Sequence, residues 1–421
     1  MSANKIRSAL CTLLAVLTAG TCACSIRNNT APANTADAAF YTSAPAVSQL
    51  PSPAASAPTD TPEPTQEPAP DVKELIDRYV GGMSLEDKLA QLVMFGFGGT
   101  EEPDAEFAEI IEEYGVGNII FVGSNVKKDD GSGGFDAMAG LVEKLNAMNP
   151  CGIPRLYSVD VEGGTVQRFK WEPSLPSANK LGTMGAEAAY EQFKLVGERL
   201  RSIGINLDLA PVTDVAEDPF STFLGSRVIS SDEQVACEIG TAIINGLHDG
   251  GCLSTAKHFP GHGSADGDSH KVTPTVGKTA AELYEYDLVP FRAAIEAGVD
   301  CVLAANVLYP ALDENDIACL SSKVLDGLLR QELGFDGVVI SDDFLMQGML
   351  SQYKPGDAAV KFINSGGDIV LCGASYSVQR SIMEALYEAA ENGSLSAERI
   401  DLSVHRVLYA KYSLGIWEPE A

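Results

Sequence analysis

A chain of 421 residues with 45% hydrophobic composition is long enough to bury a full-sized core, in one large α/β domain or two modest ones. Its 58 acidic against 29 basic residues leave a formal charge of -29, which repels nucleic acid and anionic lipid surfaces. That balance excludes a polyanionic partner and points to a neutral or cationic one.

Residues 1–24 read as an export signal. Lys5 and Arg7 supply the basic start, Ala9 to Leu17 the apolar run, and small residues surround Cys22 and Cys24. Small residues ahead of a cysteine are also similar to the lipid-attachment signal of bacterial lipoproteins. Cys24 or Cys22 is therefore expected to carry a lipid, with a plain cleaved signal as the alternative. Residues 25–70, as in "SPAASAPTDTPEPTQEPAP", cannot bury enough apolar surface to offset their ordering entropy and predict an extended, disordered tether. The expected place is outside the cell, on the extracellular face of the cytoplasmic membrane, touching that membrane only through the anchor.

From residue 71 to 421 the chain alternates short apolar runs with amphipathic stretches. Ser84, followed by Glu86 and Asp87, signals the N-terminus of the first helix. Eight candidate strands follow: "LVMFGF", "NIIFVG", "LYSVD", "INLDLAP", "LSTAKHF", "CVLAAN", "VVISDD" and "DIVLC". Runs apolar on both faces and alternating with helices predict a parallel sheet covered by helices, so the fold class is α/β. Eight such units fit a (β/α)8 barrel of the TIM type as a single catalytic domain, with a doubly wound open sheet as the alternative. Polarity favours the barrel, because the apolar runs end in Asp160, Asp214, Lys257 with His258, Asn306, and Asp342 with Asp343. In a barrel those ends converge on one mouth. Cys252, Cys301 and Cys372 sit in or beside strand-like runs and read as small buried hydrophobes.

The stretch "KHFPGHGSADGDSH", residues 257–270, holds three of the chain's five histidines. His258 and His262 have the spacing of a zinc helix, but Pro260 and the neighbouring glycines forbid a helix there, so no metal is expected. No cofactor motif is found either, since the glycines of "FGFGGT" lack the spacing of a phosphate-binding turn. Asp268 and His270 are two apart, which in an extended segment aims both side chains one way. A carboxylate beside an imidazole favours its charged form and fixes its tautomer, making a candidate general acid/base. On spacing alone the plainer reading leads, with Asp268 capping a turn and His270 exposed. His248 and His405 read as solvated helix positions.

"KHFPGHG" followed by "DSH", with "VDVEGGTVQRF" (159–169), "GSR" (225–227) and "LLRQELGFDGVVISDDFLM" (328–346), closely resembles glycoside hydrolase family 3, in its β-N-acetylhexosaminidase branch. The resemblance runs from Leu75 to Leu414. It implies a barrel enzyme that removes terminal β-linked N-acetylglucosamine from a carbohydrate with retention of configuration. By the same resemblance Asp342 matches the nucleophile, and His270, oriented by Asp268, the general acid/base. Asp160, Arg227, Lys257 and His258 match residues that hold sugar hydroxyls, and Arg168 the second arginine of the family's "GGRVQR" run. Two positions depart from the pattern, Thr165 for the first arginine of that run and Asn306 where "AH" is usual, and either change bears on specificity. Muropeptides or chitooligosaccharides are the expected substrates. A phosphorylase using the same Asp–His pair, and a surface lipoprotein that only binds sugar, are the alternatives. Adjacent side chains on a strand point apart, so Asp343 is expected to hold neighbouring backbone rather than to face the sugar.

Overall fold

A computed structural model describes residues 71–419. The expected signal segment with Cys22 and Cys24, and the whole of the expected tether, lie outside the described residues.

Eight parallel strands form the centre: β1 (Val93–Phe95), β2 (Asn118–Phe121), β3 (Leu156–Val159), β4 (Leu207–Asp208), β5 (Thr255–Phe259), β6 (Cys301–Ala304), β7 (Val338–Ser341) and β8 (Val370–Cys372). Each falls inside one of the eight apolar runs. Strands β8, β1, β2, β3 and β4 pair in that order, and β7, β6 and β5 form a second run. Parallel bridges Leu207↔Leu253 and Val212↔Lys257 join β4 to β5, and Ile340↔Ile369 joins β7 to β8. The ring therefore closes as a barrel, and the open-sheet alternative falls.

The alternation of side chains along each strand divides the core. Met94, Leu156, Leu207, Cys301, Leu303 and Ile340 pack with one another inside the barrel, while their neighbours Val93, Tyr157, Val302 and Val339 pack against the helices outside. Runs apolar on both faces are what this double burial requires. Cys252, Cys301 and Cys372 are buried and free, as expected. The last helix, Ala397–Ser413, closes the base, placing Val407 and Ala410 in the inner cluster. Lys411 on the same helix is fully buried.

Ser84 caps its helix as expected, its hydroxyl accepting from the backbone N–H of Asp87 at 3.1 Å. That helix, Leu85–Gln91, is nevertheless the second, because Val72–Gly82 precedes it with Asp71 as cap. His248 and His405 sit on helices but are not simply solvated. Nε2 of His248 lies 2.7 Å from Asp300 Oδ2, and Nδ1 of His405 pairs with Asp77. A loop supplies Asp300 and the first helix supplies Asp77, a proximity that the periodicity of either histidine's own helix does not carry. Among the described residues no helix is long and apolar enough to cross a membrane.

Candidate active site

Asp160 ends β3, and the chain then turns through a short hairpin, Val161–Gly163 with Val166–Gln167. Gly163 has φ +87°, and a Cβ there would stand 2.1 Å from the carbonyl oxygen of Pro176, so only glycine allows this turn. The hairpin brings Arg168 back to Asp160, Nη2 to Oδ2 at 2.6 Å. Lys257 from β5 reaches Asp160 Oδ1 at 2.8 Å and Glu162 Oε1 at 2.6 Å. Arg227, on the turn Gly225–Arg227, grips Glu162 with Nε at 2.7 Å and Nη2 at 3.0 Å.

Three cations and two carboxylates thus form one network. Burial alone would push both carboxyls up, but Lys257 with Arg168 at Asp160, and Lys257 with Arg227 at Glu162, hold them below the usual range. Burial likewise works to lower Lys257, and Asp160 and Glu162 outweigh it, so the ammonium stays charged. Asp208 beneath them has no cation of its own. Burial, together with the charges of Asp160 and Glu162, drives its carboxyl well up despite the N–H of Val161 at 2.9 Å.

Asp214 organises the neighbouring edge. It lies 2.6 Å from Nδ1 of His258 and accepts the backbone N–H of His262 at 2.6 Å. Arg227 can only donate, so the His258 Nε2 facing its Nη2 at 3.4 Å accepts, which leaves Nδ1–H to donate to Asp214. His262 turns instead to Ser269, Nε2 to Oγ at 2.9 Å, so the two histidines do not converge on a metal.

Asp342 follows β7. Its Oδ1 accepts the N–H of Asp343 at 2.8 Å, and its carboxylate borders the cavity. Asp343 is committed to the backbone, accepting from Leu345 N and Gly373 N at 3.0 Å each. Asp343 thus holds backbone as expected, but it also borders the same cavity. Burial first, and then the charge of Asp342, raise the Asp343 carboxyl.

Asp268 and His270 do not lie in an extended segment. The chain turns here, with Lys271 N donating to Asp268 O at 2.9 Å, and Asp268 Oδ1 accepts both the backbone N–H of His270 at 3.0 Å and its Nδ1–H at 2.9 Å. An aspartate that bonds the backbone two residues on makes this turn by itself, as the plainer reading expects, and the same carboxylate also holds the imidazole. Burial works to raise Asp268, but the His270 N–H and the Lys271 and His270 side chains bring it down to about 2. With Nδ1 engaged, Nε2 of His270 is left for the cavity.

Asp160, Arg168, Arg227, Lys257, His258, His270 and Asp342 all line one cavity of about 460 Å³ at the C-terminal mouth of the barrel. Asp268 stands behind His270. Neither departure from the expected pattern lines it. Thr165 is exposed on the hairpin tip, and Asn306 is buried, its Nδ2 donating to the carbonyl of Asp343 at 3.2 Å. Sequence reasoning passed over Glu162, although its position two beyond Asp160 put it on the same face of an extended segment. It noted Asp214 only as a polar strand end. Phe223 and Ser269, which also line the cavity, carried no signal of their own, and His262 was weighed only for a metal.

Chemically, the arrangement offers a carboxylate, a carboxylate-backed imidazole and a fixed array of donors and acceptors suited to hydroxyl groups. The family model described as the glycosyl hydrolase family 3 N terminal domain matches residues 84–410. Beta-hexosaminidase A of Pseudoalteromonas piscicida is 28% identical over 336 residues, covering 73% of this chain and 55% of the relative. Beta-hexosaminidase LpqI of Mycobacterium tuberculosis is 32% identical over 344 residues, covering 78% and 83%. A solved structure of a glycoside hydrolase family 3 beta-N-acetylglucosaminidase from Paenibacillus sp. superposes with a TM-score of 0.76 at 37% identity, covering 81% of this chain and 64% of that one. The chain thus spans just over half the length of the first of these relatives and under two thirds of the solved chain.

Proposed function

The chain belongs to glycosyl hydrolase family 3, and we propose that it is a retaining exo-β-N-acetylglucosaminidase. The observation that carries this reading is that Asp342 and the Asp268-backed His270 border the same cavity as the charged network. In the first step Asp342 attacks the anomeric carbon while His270 donates its Nε2 proton to the departing glycosidic oxygen. The C–O bond to the aglycone breaks, and an ester forms between sugar and Asp342. In the second step the neutral imidazole takes a proton from water, the hydroxide attacks the anomeric carbon, and Asp342 leaves as carboxylate. Two inversions give net retention.

Asp160, Arg168, Arg227, Lys257 and His258 bind and orient the sugar hydroxyls. Similarity to proteins named beta-hexosaminidase supports an N-acetylhexosamine as the sugar. Muropeptides or chitooligosaccharides are the proposed substrates, and the sequence of residues 1–70 supports export with attachment to the outer face of the membrane through Cys24 or Cys22.

The test is release of 4-nitrophenol from its β-N-acetylglucosaminide and its β-glucoside, with and without phosphate, with the product anomer read by NMR. Hydrolysis of the first alone, giving the β-anomer and indifferent to phosphate, is the expected result. A sugar 1-phosphate product would assign a phosphorylase, and no turnover by folded protein would leave a binding protein.

A further inference from the structure

Ser269, between the two members of the catalytic pair, is the buried residue of its turn. It is 1% exposed, whereas the side chain of His270 is 64% exposed. An earlier turn of the same loop and a segment after β7 hold it. Its hydroxyl lies 2.9 Å from Nε2 of His262, and its carbonyl accepts the N–H of Gly348 at 3.0 Å. Gly348 follows the Asp342 segment, and a Cβ there would stand 2.9 Å from the carbonyl oxygen of Asn306 and 3.3 Å from that of Ser269. The loops approach this closely only because the position is glycine.

His262 is anchored in turn. It is 1% exposed, its ring centroid lies 4.6 Å from that of Phe223, and its backbone N–H is fixed by Asp214. Asp214 is also the carboxylate that fixes His258. One buried acid therefore holds a sugar-binding histidine directly and the turn carrying His270 through His262 and Ser269.

We infer that His262 and Ser269 are positioning residues for the acid/base, pinning an otherwise exposed turn so that His270 Nε2 meets the glycosidic oxygen. Burial holds the His262 imidazole down to about 4, so at neutral pH the link to Ser269 joins two uncharged groups. Without that pin the turn keeps its internal Asp268–His270 bonds but loses its fixed distance from Asp342. A misplacement on the order of 1 Å costs about 100-fold where a group must meet its partner in the transition state.

This inference rests on His270 being the acid/base, and the experiment separates the two ideas. In the full-length protein, turnover is measured on N-acetylglucosaminides whose leaving groups run from 2,4-dinitrophenol, which departs without a proton, to the sugar of chitobiose, which needs one. Ser269→Ala should cut kcat/KM on chitobiose about 10- to 100-fold while changing kcat/KM on the dinitrophenyl substrate, which reports only the first step, about 2-fold or less. Ser269→Thr, which keeps the hydroxyl, should restore it, and His262→Ala should repeat the Ser269→Ala pattern. Equal losses on both substrates, or none, would overturn the inference. If Ser269→Ala does not fold, His262→Ala against His262→Gln applies the same criterion. His270→Ala is the control. If it fails to steepen the leaving-group dependence, the acid/base assignment itself is wrong. If it steepens the dependence and Ser269→Ala does not, only the pin is wrong.

Discussion

Lys257 at the mouth of the barrel and Lys411 at its base are equally hidden, 2% and 0% exposed, yet their environments drive them in opposite directions. At Lys257 burial is overcome by two carboxylates within 2.8 Å and the ammonium is held charged. At Lys411 the partners are neutral, Gln91 Oε1 at 2.6 Å and Gly117 O at 3.2 Å, and burial pushes the amine down to about 7. Burial sets the cost of a charge, and the partners decide whether the charge is kept. The mouth keeps its charges where a polyhydroxyl ligand can meet them. The base seals the core.

The sharpest way to separate the two ends is to remove the proposed nucleophile. Asp342→Asn should lower turnover about 10⁴-fold or more while leaving the thermal midpoint within a few degrees, read by aryl-glycoside assay and calorimetry. Next comes the direct contrast. Lys257→Met strands Asp160 and Glu162 without their shared cation and should cost about 3–5 kcal/mol of stability in addition to activity. Lys411→Met removes an amine that is already poorly solvated and should leave stability at pH 7 unchanged or higher, with activity intact. Chemical denaturation of both variants checks this, and equal losses would erase the distinction.

The pH dependence sharpens the comparison further. Lys411 is depressed from its ordinary 10.5 to about 7, so between those values the unfolded chain binds the extra proton. Stability of the wild type relative to Lys411→Met should therefore rise by about 1.4 kcal/mol per pH unit across that window, and the amine's contribution is lost as pH falls through 7. His262 offers a narrower window at the mouth. Depressed from 6.5 to about 4, it stays neutral in the fold while the unfolded chain protonates. Stability relative to His262→Gln should fall at the same rate of about 1.4 kcal/mol per unit from pH 6.5 down to about 4 and level off below.

These two ends were not equally legible in the sequence. The mouth was readable because its residues sit where apolar runs stop. Asp160 and Asp342 directly follow strands, Lys257 and His258 lie toward the C-terminal end of another, and a parallel ring gathers such ends whatever the loops do. Arg168 and Arg227, by contrast, entered only through their motifs. The turn at Asp268 was the leading reading of its spacing, but that the same carboxylate also holds the His270 ring was not legible, because spacing gives direction only when the backbone conformation is known. Lys411 was invisible. Within "LYAKYSLGI" it reads as an ordinary polar position on an amphipathic helix, and it is buried only because that helix packs across the base. The partners of His248 and His405 escaped for the same reason, since Asp300 and Asp77 come from segments far away in the chain.

The pairing of β1 with β8 has a consequence for how the chain is made. Val93 meets Val370, and Phe95 meets Cys372. While the polypeptide emerges from the ribosome, β1 has an uncovered edge until nearly the whole domain has been synthesised, and the helix that seals the base comes later still. An unpaired strand edge is a template for pairing with another chain. Ring closure, which leaves the finished barrel without a free edge, thus makes the nascent chain dependent on completing its last strand.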